Sequence, residues 1–444
     1  MIGCVLVANR GEIAVRVVRT CAELGIRTVV AHSSADRDSA AVRLADDSVQ
    51  IGPGPAKDSY LSIPAVIEAA RAKGADAIHP GYGFLSENPD FAEVCEAEGL
   101  TFIGPPAKVM TQLGDKSSAR AIMSGAGLPL LPGSRDPLEA DAAEALAAEI
   151  GFPVIVKAVA GGGGRGMSVV RSAAEFPRAW ARTRAAAQAV FGDGRLYVER
   201  YLESARHVEI QVFADQHGDV AQLGARDCSL QRRHQKLVEE SPAPMLPEDL
   251  IREMGEAAVR GARAAGYVGA GTFEFLVDPR AARFYFMEVN CRLQVEHPVT
   301  EAVAGLDLVR EQIRIAAGEP LGYTEVLPRG VAIECRINAE DPAREFAPAP
   351  GVLEVCHLPA GPFTRVDTHV YPGYRVPPWY DSLLAKLIVW APDRDAAIAR
   401  MRRALGEVEV RGPGVATTAE FLSDVLDHPR FRAAEHDTTF IESL

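Results

Sequence analysis

Short apolar runs alternate with helical patterns over the first hundred residues, and this alternation constrains the fold more than any other feature. The runs GCVLVA and RTVVA flank a stretch from Glu12 to Leu24 whose apolar side chains share one helical face. Further helical patterns and strand-like runs follow: Ser62–Lys73, Ala75–His79, Pro89–Glu98 and Leu100–Gly104. Repeats of strand, helix and strand predict a parallel α/β sheet with right-handed crossovers.

The first turn between strand and helix argues against dinucleotide binding. Residues Ala8–Glu12 read ANRGE, which lacks the GxGxxG spacing that lets a backbone approach a pyrophosphate. This sheet is therefore not expected to bind a nicotinamide or flavin cofactor.

Length, charge and cysteine content set further limits. A chain of 444 residues is too long for one core and suggests roughly three domains. The formal net charge of −13 gives no electrostatic case for nucleic acid, and no apolar run approaches the ~18 residues of a membrane span. The seven cysteines are scattered without a CxxC pair, and no signal peptide precedes the first strand. Free thiols and a cytoplasmic location are therefore expected.

A stretch containing proline and glycine around Gly125–Pro137 is typical of a domain boundary. A small unit follows, with the strands PVIVKAV, SVVR and RLYVERYL, a glycine run, and helices over Ala140–Ile150 and Ala174–Val190. A larger, strand-rich region begins near Ala205, with helices near Glu248–Ala265, Leu306–Ala317, Arg394–Leu405 and Thr418–Leu426. The predicted fold class is α/β and α+β: a parallel sheet, a small α+β unit, then a larger one.

The glycine run GGGGRG at Gly161–Gly166 lies between two predicted strands. A P-loop requires GxxxxGK[ST] before a helix, whereas Met167 and Ser168 follow here, so that mechanism is excluded. A glycine-rich hairpin can still place backbone N–H groups against phosphate oxygens and close as a lid. Lys157, four residues before the run, favours a phosphate lid over the alternative of a flexible surface turn.

Two carboxylates lie on consecutive apolar strands. Glu274 lies within TFEFL, and Glu288 follows Phe284–Met287. A hairpin around Pro279–Ala282 would make these strands neighbours, and paired carboxylates there either share a proton or hold a divalent cation. Asn290, another oxygen ligand, favours Mg²⁺ bridging phosphates, against the alternative of an outward-facing hydrophilic strand.

Residues 288–297 alternate polar and apolar side chains in the sequence EVNCRLQVEH. In an extended chain one side carries the polar residues Glu288, Asn290, Arg292, Gln294 and Glu296. Eight residue steps at ~3.3 Å span roughly 26 Å, so a single ion cannot reach both ends. The polar groups can converge only if the chain leaves regular extension near Arg292 and curls around a substrate.

Several other polar residues are ambiguous on their own. Lys116, at a predicted helix start, and the basic run Arg232–Lys236 would ordinarily be solvated charges, and Arg336 is a further isolated cation. The loop HPGYGFLSEN at 79–88 follows the carboxyl end of a strand, a common place for ligand contacts.

Nine motifs of the chain stand in an order that resembles one family, biotin carboxylase, the ATP-grasp component of biotin-dependent carboxylases such as acetyl-CoA carboxylase. They are HSSADRDS, HPGYGFLSENPDFAE, GDKSSA, GGGGRGM, RHVEIQV, RDCSLQRRHQKLVEE, GAGTFEFL, EVNCRLQVEHPVTE and ECRINAEDP. The resemblance begins at VANRGEIA and covers essentially the whole chain. It implies an ATP-grasp fold in four parts: an N-terminal Rossmann-like domain over 1–112, linker helices and a glycine-loop lid domain over 113–204, a catalytic domain over 205–330, and a C-terminal α+β domain over 331–444.

The resemblance also implies roles for individual residues. ATP would contact one set: Lys116, Lys157, Gly161, Gly162, Gly163, Gly164, Gly166, Met167, Glu199, Leu202, His207, Gln231, His234, Glu274 and Glu288. Mg²⁺, with Mn²⁺ as an alternative, would be held by Glu274, Glu288 and Asn290. Bicarbonate and biotin would contact a second set: Tyr82, Gly83, Lys236, Arg292, Gln294, Val295 and Arg336. The implied catalytic residues are Glu296 as the base for bicarbonate, Arg336 as the cation for the biotin enolate, and Lys236 and Arg292 on the bicarbonate oxygens.

The implied activity is that of an ATP-dependent carbon–nitrogen ligase that carboxylates biotin with bicarbonate through carboxyphosphate. This reaction is the first half of acetyl-CoA or acyl-CoA carboxylase, in fatty acid biosynthesis. The AMKM segment of a biotin carrier domain is absent, and no carboxyltransferase region follows. A separate biotin carboxyl carrier protein and carboxyltransferase subunits are therefore expected as partners, unless the chain was excised from a longer polypeptide. Homodimerisation is expected from the resemblance.

Two positions depart from the family pattern. Cys291 stands where threonine is usual, with its side chain expected on the apolar side, and 407–418 replaces a GIKTN-type turn, with Thr418 where asparagine is usual.

Two rival functions are another ATP-grasp carboxylate ligase and a catalytically silent nucleotide-binding regulatory subunit. The QVEH and HPGYGF segments argue against the first, and the intact set of polar residues argues against the second.

Overall fold

The computed structural model describes residues 2–134, 136–160 and 166–444. The predicted phosphate contacts at Gly161, Gly162, Gly163 and Gly164 therefore lie outside the described residues. Among those described, no helix is both long and apolar enough to cross a membrane. All seven cysteines are free thiols, as predicted.

The N-terminal region forms the predicted parallel sheet, with strand order β3-β2-β1-β4-β5. Its elements are β1 Cys4–Val7, α1 Gly11–Glu23, β2 Arg27–Ser33, α2 Ala40–Leu44, β3 Asp47–Gly52, α3 Ile63–Ala72, β4 Ala77–His79, α4 Pro89–Ala97 and β5 Thr101–Phe102. The strands are apolar runs because helices cover both faces: Val5 and Val7 pack into one core cluster and Leu6 into another. The sequence did not reveal β3, an edge strand in which polar residues make up half of the sequence DSVQIG.

Two linking helices and a small α+β unit follow. The elements are α5 Ala107–Gly114, α6 Lys116–Gly125, α7 Ala140–Ile150, β6 Val154–Ala158, β7 Met167–Val170, α8 Phe176–Phe191 and β8 Leu196–Arg200. The strands form an antiparallel sheet in the order β7-β6-β8, and the apolar sides of α7 and α8 pack on it. The predicted glycine run lies between β6 and β7.

An eight-stranded antiparallel sheet dominates the rest of the molecule, in the order β13-β12-β9-β10-β11-β14-β19-β18. Its strands are β9 Arg206–Ala214, β10 Val220–Arg232, β11 Gln235–Ser241, β12 Gly269–Asp278, β13 Arg283–Asn290, β14 Val331–Asn338, β18 Thr364–Thr368 and β19 Leu383–Ala391. Short strands β15 Glu340–Asp341, β16 Ala347–Pro348, β17 Val355–His357 and β20 Glu409–Arg411 form two small pairs. Because β11 pairs with β14, one sheet runs across the predicted domain boundary at residue 330.

Helices pack on this large sheet. They are α9 Glu248–Ala265, α10 His297–Ala304, α11 Leu308–Ala316, α12 Arg394–Gly406, α13 Ala419–Asp427 and α14 Pro429–Arg432. Helix α9 buries Leu250, Met254 and Ala258 against β9 and β10, and it ends at Gly266, whose φ of 62° provides a left-handed cap. The predicted bounds of α9 are therefore confirmed.

Candidate active site

The two predicted carboxylates, Glu274 and Glu288, lie directly opposite each other on the antiparallel strands β12 and β13. The pairing passes from Phe275–Phe286 to Glu274–Glu288, so Met287 is an extra residue that forms a bulge. The bulge changes the alternation of β13, because Phe286 and Val289 both lie in the core. The Glu288 side chain is thereby exposed on the other side of the sheet, and the surface that carries Glu274, Glu288 and Arg292 is called the cleft below. The predicted hairpin is confirmed.

The polar segment after β13 bends as predicted. The strand ends at Asn290, and α10 begins at His297, so the residues between them do not continue the ladder. The turn is held by the backbone oxygen of Gln294, which lies 3.3 Å from the His297 nitrogen and 2.8 Å from its ring Nδ1. The turn returns Glu296 to the sheet face that carries Glu274, and Cys291 packs on the apolar side as expected.

Lys236 of β11 joins three carboxylates. Its ammonium lies 2.7 Å from Glu209, 3.1 Å from Glu274 and 2.5 Å from Glu296. Burial alone would lower the pKa of Lys236, but the three carboxylates outweigh it and raise the pKa well above its ordinary value. The ammonium is therefore charged at neutral pH.

Glu296 is fully buried and lies among cations. Burial alone would raise its pKa, but Lys236, Arg336 and Arg226 hold the pKa well below its ordinary value. The carboxylate is therefore ionised in the free protein. Arg226, which the sequence did not reveal, is itself fully buried and donates to Glu209 at 2.5 Å.

Arg336 of β14 contacts two carboxylates, Glu296 at 3.0 Å and Glu239 of β11 through its Nε at 2.6 Å. Burial raises the pKa of Glu239 to about 7, because the pull of Arg336 does not fully offset the loss of water. The backbone around Arg336 is fixed by Thr418, whose hydroxyl donates to the Arg336 oxygen at 2.9 Å and accepts from the Asn338 nitrogen at 3.0 Å. The unusual threonine at 418 thus supports the strand that carries Arg336.

Arg292 lies at the mouth of the cleft. Its Nε donates to Glu87 at 2.8 Å, and its other nitrogens reach the side-chain oxygens of Gln294 at 3.1 Å and Asn290 at 3.4 Å. Glu87 also accepts from the Cys291 nitrogen at 2.8 Å, so it holds the bend after β13. Glu87 belongs to the loop at 79–88, where no role had been predicted for it.

The predicted metal ligands lie close together, and two of them, Glu274 and Asn290, are engaged with protein partners. Glu274 accepts from the Asn290 side-chain nitrogen at 2.8 Å and lies 3.2 Å from His207. Glu288 faces the cleft, where surrounding protein limits its hydration and Glu274 lies opposite, and both effects raise its pKa. A divalent cation would relieve the repulsion between these two carboxylates.

The predicted contacts of the ATP phosphates approach the cleft from the lid unit and α6. Lys157 of β6 lies 2.6 Å from Glu199 of β8, and Arg120 of α6 contacts the same carboxylate. Lys116 begins α6, as predicted, where Asp115 caps the helix by accepting from the Ser118 nitrogen. Burial lowers the pKa of Lys116, although Glu288 and Glu199 partly oppose this effect. The two lysines and Glu288 thus belong to one electrostatic environment.

The remaining predicted nucleotide residues differ in position. His207 is buried, and the Gln231 side-chain nitrogen lies 2.7 Å from its Nδ1. Glu274 offsets the burial of His207 and raises its pKa. His234 is exposed in the tight turn between β10 and β11, with φ 66°. Leu202 follows β8, Gly166 precedes β7, and Met167 pairs with Lys157 across β6 and β7.

The loop that carries Tyr82 and Gly83 lies beside the first turn of the parallel sheet. The Asn9 side-chain nitrogen donates to the backbone oxygens of Pro80 and Tyr82, at 2.7 Å each. The Tyr82 hydroxyl contacts the carboxylate of Glu12. A cavity lies between these segments and the β18–β19 connection, lined by Asn9, Tyr82, Gly83, His369 and Asp381 among others. Adjacent carboxyl ends of β1 and β4 form this region, as expected for a parallel sheet.

Sequence reasoning missed the charged residues behind the site. Glu209, Arg226, Glu239 and Lys386 are all buried in strands of the large sheet. Glu209 lies in the motif RHVEIQV, where a lone carboxylate in an apolar strand was the available signal.

Three family models together match most of the chain. They are "Biotin carboxylase, N-terminal domain" at residues 1–110, "Carbamoyl-phosphate synthase L chain, ATP binding domain" at 115–324, and "Biotin carboxylase C-terminal domain" at 334–443. A biotin carboxylase from Nostoc sp. is 51% identical over 443 residues, which cover 99% of this chain and 98% of that protein.

Two solved structures share the fold. The biotin carboxylase from Campylobacter jejuni, in an ATP complex, has a TM-score of 0.96 and 46% identity and covers 100% of this chain and 99% of its own. The biotin carboxylase domain dimer of Hydrogenobacter thermophilus 2-oxoglutarate carboxylase was solved with MgADP, ADP and bicarbonate. It has a TM-score of 0.95 and 46% identity and covers 100% of this chain and 98% of its own.

These similarities confirm the predicted ATP-grasp fold class and the predicted class of ATP-dependent ligase. They agree with the polar cleft, in which buried carboxylates, a lysine and two arginines lie close together. The chain belongs to the biotin carboxylase family.

Proposed function

We propose that this chain carboxylates biotin with ATP and bicarbonate, as the first half-reaction of an acetyl-CoA or acyl-CoA carboxylase in fatty acid biosynthesis. The observation that carries the proposal is the cluster of Glu296, Lys236 and Arg336, which places an ionised base beside two cations at the inner end of the cleft. A pocket of this charge pattern suits a small anion that must lose a proton.

Bicarbonate is a poor nucleophile, and the cleft supplies what it lacks. Arg292 and Lys236 hold its oxygens, Gln294 and the Val295 backbone shape the pocket, and Glu296 takes its proton as an oxygen attacks the γ-phosphorus of ATP. The bond from that phosphorus to the β–γ bridging oxygen breaks, which gives ADP and carboxyphosphate. The Arg292 Nε is engaged with Glu87 at 2.8 Å, so bicarbonate would be held by the two other guanidinium nitrogens, which lie beside Gln294 and Asn290.

The residues present fit a magnesium ion. Glu274 and Glu288 lie opposite each other, and rotation of the Asn290 amide would exchange its donated hydrogen bond for an oxygen ligand. When bound, the ion neutralises charge on the β- and γ-phosphates. Lys116 and Lys157 contact the phosphates, and Lys157 has to leave Glu199 to do so.

The glycine segment between β6 and β7 closes over the phosphates with Gly166 and Met167 at its end, and Glu199 and Leu202 contact the adenine. His207, Gln231 and His234 line the same nucleotide site. Closure excludes water, which would otherwise hydrolyse the mixed anhydride.

Biotin enters between Tyr82, Gly83 and Arg336. Carboxyphosphate decomposes to CO₂ and phosphate, phosphate removes the proton from the ureido nitrogen, and Arg336 stabilises the resulting enolate while the nitrogen attacks CO₂. We further propose that biotin arrives on a separate carrier protein, that carboxyltransferase subunits use the product, and that the chain is a cytoplasmic homodimer divided at residues 112, 204 and 330.

One assay tests the proposal: ADP formation measured with and without bicarbonate and free biotin. Turnover that requires bicarbonate, with carboxybiotin formed when biotin is present, is expected. ATP hydrolysis indifferent to bicarbonate would identify another ATP-grasp ligase. Absence of turnover under every condition would favour a regulatory nucleotide-binding subunit.

A further inference from the structure

Lys386 of β19 is a fully buried lysine outside the proposed substrate contacts. It pairs across the sheet with Arg336 of β14, so both side chains lie on the face that carries Glu296. Its ammonium donates to the backbone oxygen of Val295 at 2.8 Å and lies 3.1 Å from Glu12. Lys386 therefore contacts the turn that carries the proposed base.

Glu12 connects the same ammonium to the loop proposed to face biotin. It lies in the first turn of α1, and one of its oxygens contacts both Lys386 and the Tyr82 hydroxyl. Its other oxygen accepts from the Ile13 nitrogen at 2.6 Å. A chain of polar contacts thus runs from Tyr82 through Glu12 and Lys386 to Val295, between segments that belong to different sheets.

A buried ion pair such as Lys386 and Glu12 contributes little to the free energy of unfolding. Removing two ions from water costs several kcal/mol each, and apolar residues of similar volume often stabilise a core as well or better. The Lys386 ammonium is nevertheless retained in its charged form. Burial would lower its pKa, but Glu12, Glu334 and Asp367 outweigh burial and Arg365, and they raise the pKa. Lys386 and Glu12 differ from an ordinary buried ion pair because they also contact Val295 and Tyr82.

We infer that Lys386 and Glu12 are positioning residues that hold the loop at Tyr82 and the turn at Val295–Glu296 in register with each other. This inference rests on the proposed function, because it assigns biotin to the first segment and the base to the second. A shift of Tyr82 on biotin binding is transmitted through the pair to the carbonyl next to the base. Occupancy of the biotin site is thereby coupled to the geometry of bicarbonate deprotonation.

The test is a double-mutant cycle between Lys386→Met and Tyr82→Phe, read out as kcat/KM for biotin and KM for ATP. Each single variant loses up to about 100-fold in kcat/KM for biotin, because small displacements at a reacting centre are costly. The double variant loses no more than the worse single variant, because both changes interrupt one chain. The KM for ATP stays within about twofold, because the lysines proposed at the phosphates are untouched. Losses that multiply in the double variant would overturn the inference.

Arg394→Met is the matched control. Arg394 of α12 pairs with the buried Glu240 at 2.7 Å and contacts neither loop, so this variant loses a partly buried ion pair without a kinetic effect on biotin. An equal kinetic loss in Arg394→Met would make the effect of Lys386 a matter of stability and overturn the inference.

If Lys386→Met does not fold, the cycle between Glu12→Gln and Tyr82→Phe tests the same chain with smaller changes, and multiplying losses would again overturn it. The wild-type assay separates this inference from the proposed function. Turnover without bicarbonate dependence would refute the function itself, whereas intact dependence with multiplying losses would refute only the coupling.

Discussion

Replacing Lys236 by methionine should destabilise the protein far more at neutral pH than at mildly acidic pH. The ammonium lies 2.7, 3.1 and 2.5 Å from Glu209, Glu274 and Glu296, and all three carboxylates are buried. Methionine keeps the length and apolar stem of the lysine side chain but removes its positive charge. The three carboxylates would then repel one another around the apolar end of the methionine. Arg226, which contacts Glu209, and His207, which contacts Glu274, would offset part of this repulsion.

The magnitude follows from the cost of leaving a buried charge without its partner. Removal of one member of a buried ion pair costs ~3–5 kcal/mol of unfolding free energy. The variant can limit this cost if one of the carboxylates binds a proton. Each unit by which the pKa of that carboxylate rises corresponds to about 1.4 kcal/mol of free energy. The loss should therefore depend on pH.

The sign follows from the two pKa directions. In the wild type, cations outweigh burial at Glu296 and Glu274 and hold both pKa values below their ordinary range. Those groups stabilise the fold above their unfolded pKa and lose that contribution as the pH falls through the folded one. Without Lys236 the folded pKa of one carboxylate moves above its unfolded value, so its contribution is present at low pH and is lost as the pH rises. The wild type and the variant thus differ most at high pH.

Urea unfolding at about pH 8 and about pH 5.5 measures the effect, with a deficit of ~3–5 kcal/mol expected at the higher pH and a clearly smaller one at the lower. Lys73→Met is the control, because Lys73 pairs with Asp47 at 3.0 Å on the surface and should cost no more than ~1 kcal/mol at either pH. An equal deficit for Lys236→Met at both pH values would refute the electrostatic reasoning.

Three further substitutions test the division of roles. Glu296→Ala should abolish bicarbonate-dependent turnover yet leave ATP affinity nearly intact in a calorimetric titration; lost ATP affinity would mean that its role is different. Arg336→Ala should reduce biotin carboxylation more than bicarbonate-dependent ATP hydrolysis, and equal losses would count against a role specific to biotin. Glu288→Gln should raise the Mg²⁺ concentration for half-maximal turnover by at least about tenfold, and an unchanged Mg²⁺ dependence would remove Glu288 from the ligand set.

The sequence was most informative where the structure is local. The hairpin of Glu274 and Glu288 could be predicted because two apolar strands flank a short turn, and α9 because its apolar face repeats with helical spacing. The bend after Asn290 could be predicted from the length of the segment, because the polar side chains of an extended strand lie too far apart to contact one ligand. These inferences need only residues close together in the chain.

The sequence was least informative where partners are distant. The hairpin of β10 and β11 escaped prediction because its turn places Arg233 and His234 in left-handed conformations without the glycine or asparagine that usually marks them. Consequently Lys236 looked like part of a solvated basic run, although its ammonium contacts buried carboxylates while Arg233, His234 and Gln235 are exposed. Lys386 gave the same signal as Lys157, one lysine in an apolar strand, but only the folded sheet shows that it contacts Val295 and Glu12.

The ionisation of Glu296 in the free protein affects how readily the site could deprotonate water instead of bicarbonate. A general base has to bind a proton during its step, yet the pKa of Glu296 is held well below its ordinary value by Lys236, Arg336 and Arg226, which outweigh burial. Two of these cations, Lys236 and Arg336, are the ones proposed to hold bicarbonate and the biotin enolate. An arriving anion shares their field, so its binding raises the affinity of Glu296 for a proton. If Glu296 is the base, it becomes effective only when bicarbonate is bound, and it remains a weak base towards water when bicarbonate is absent.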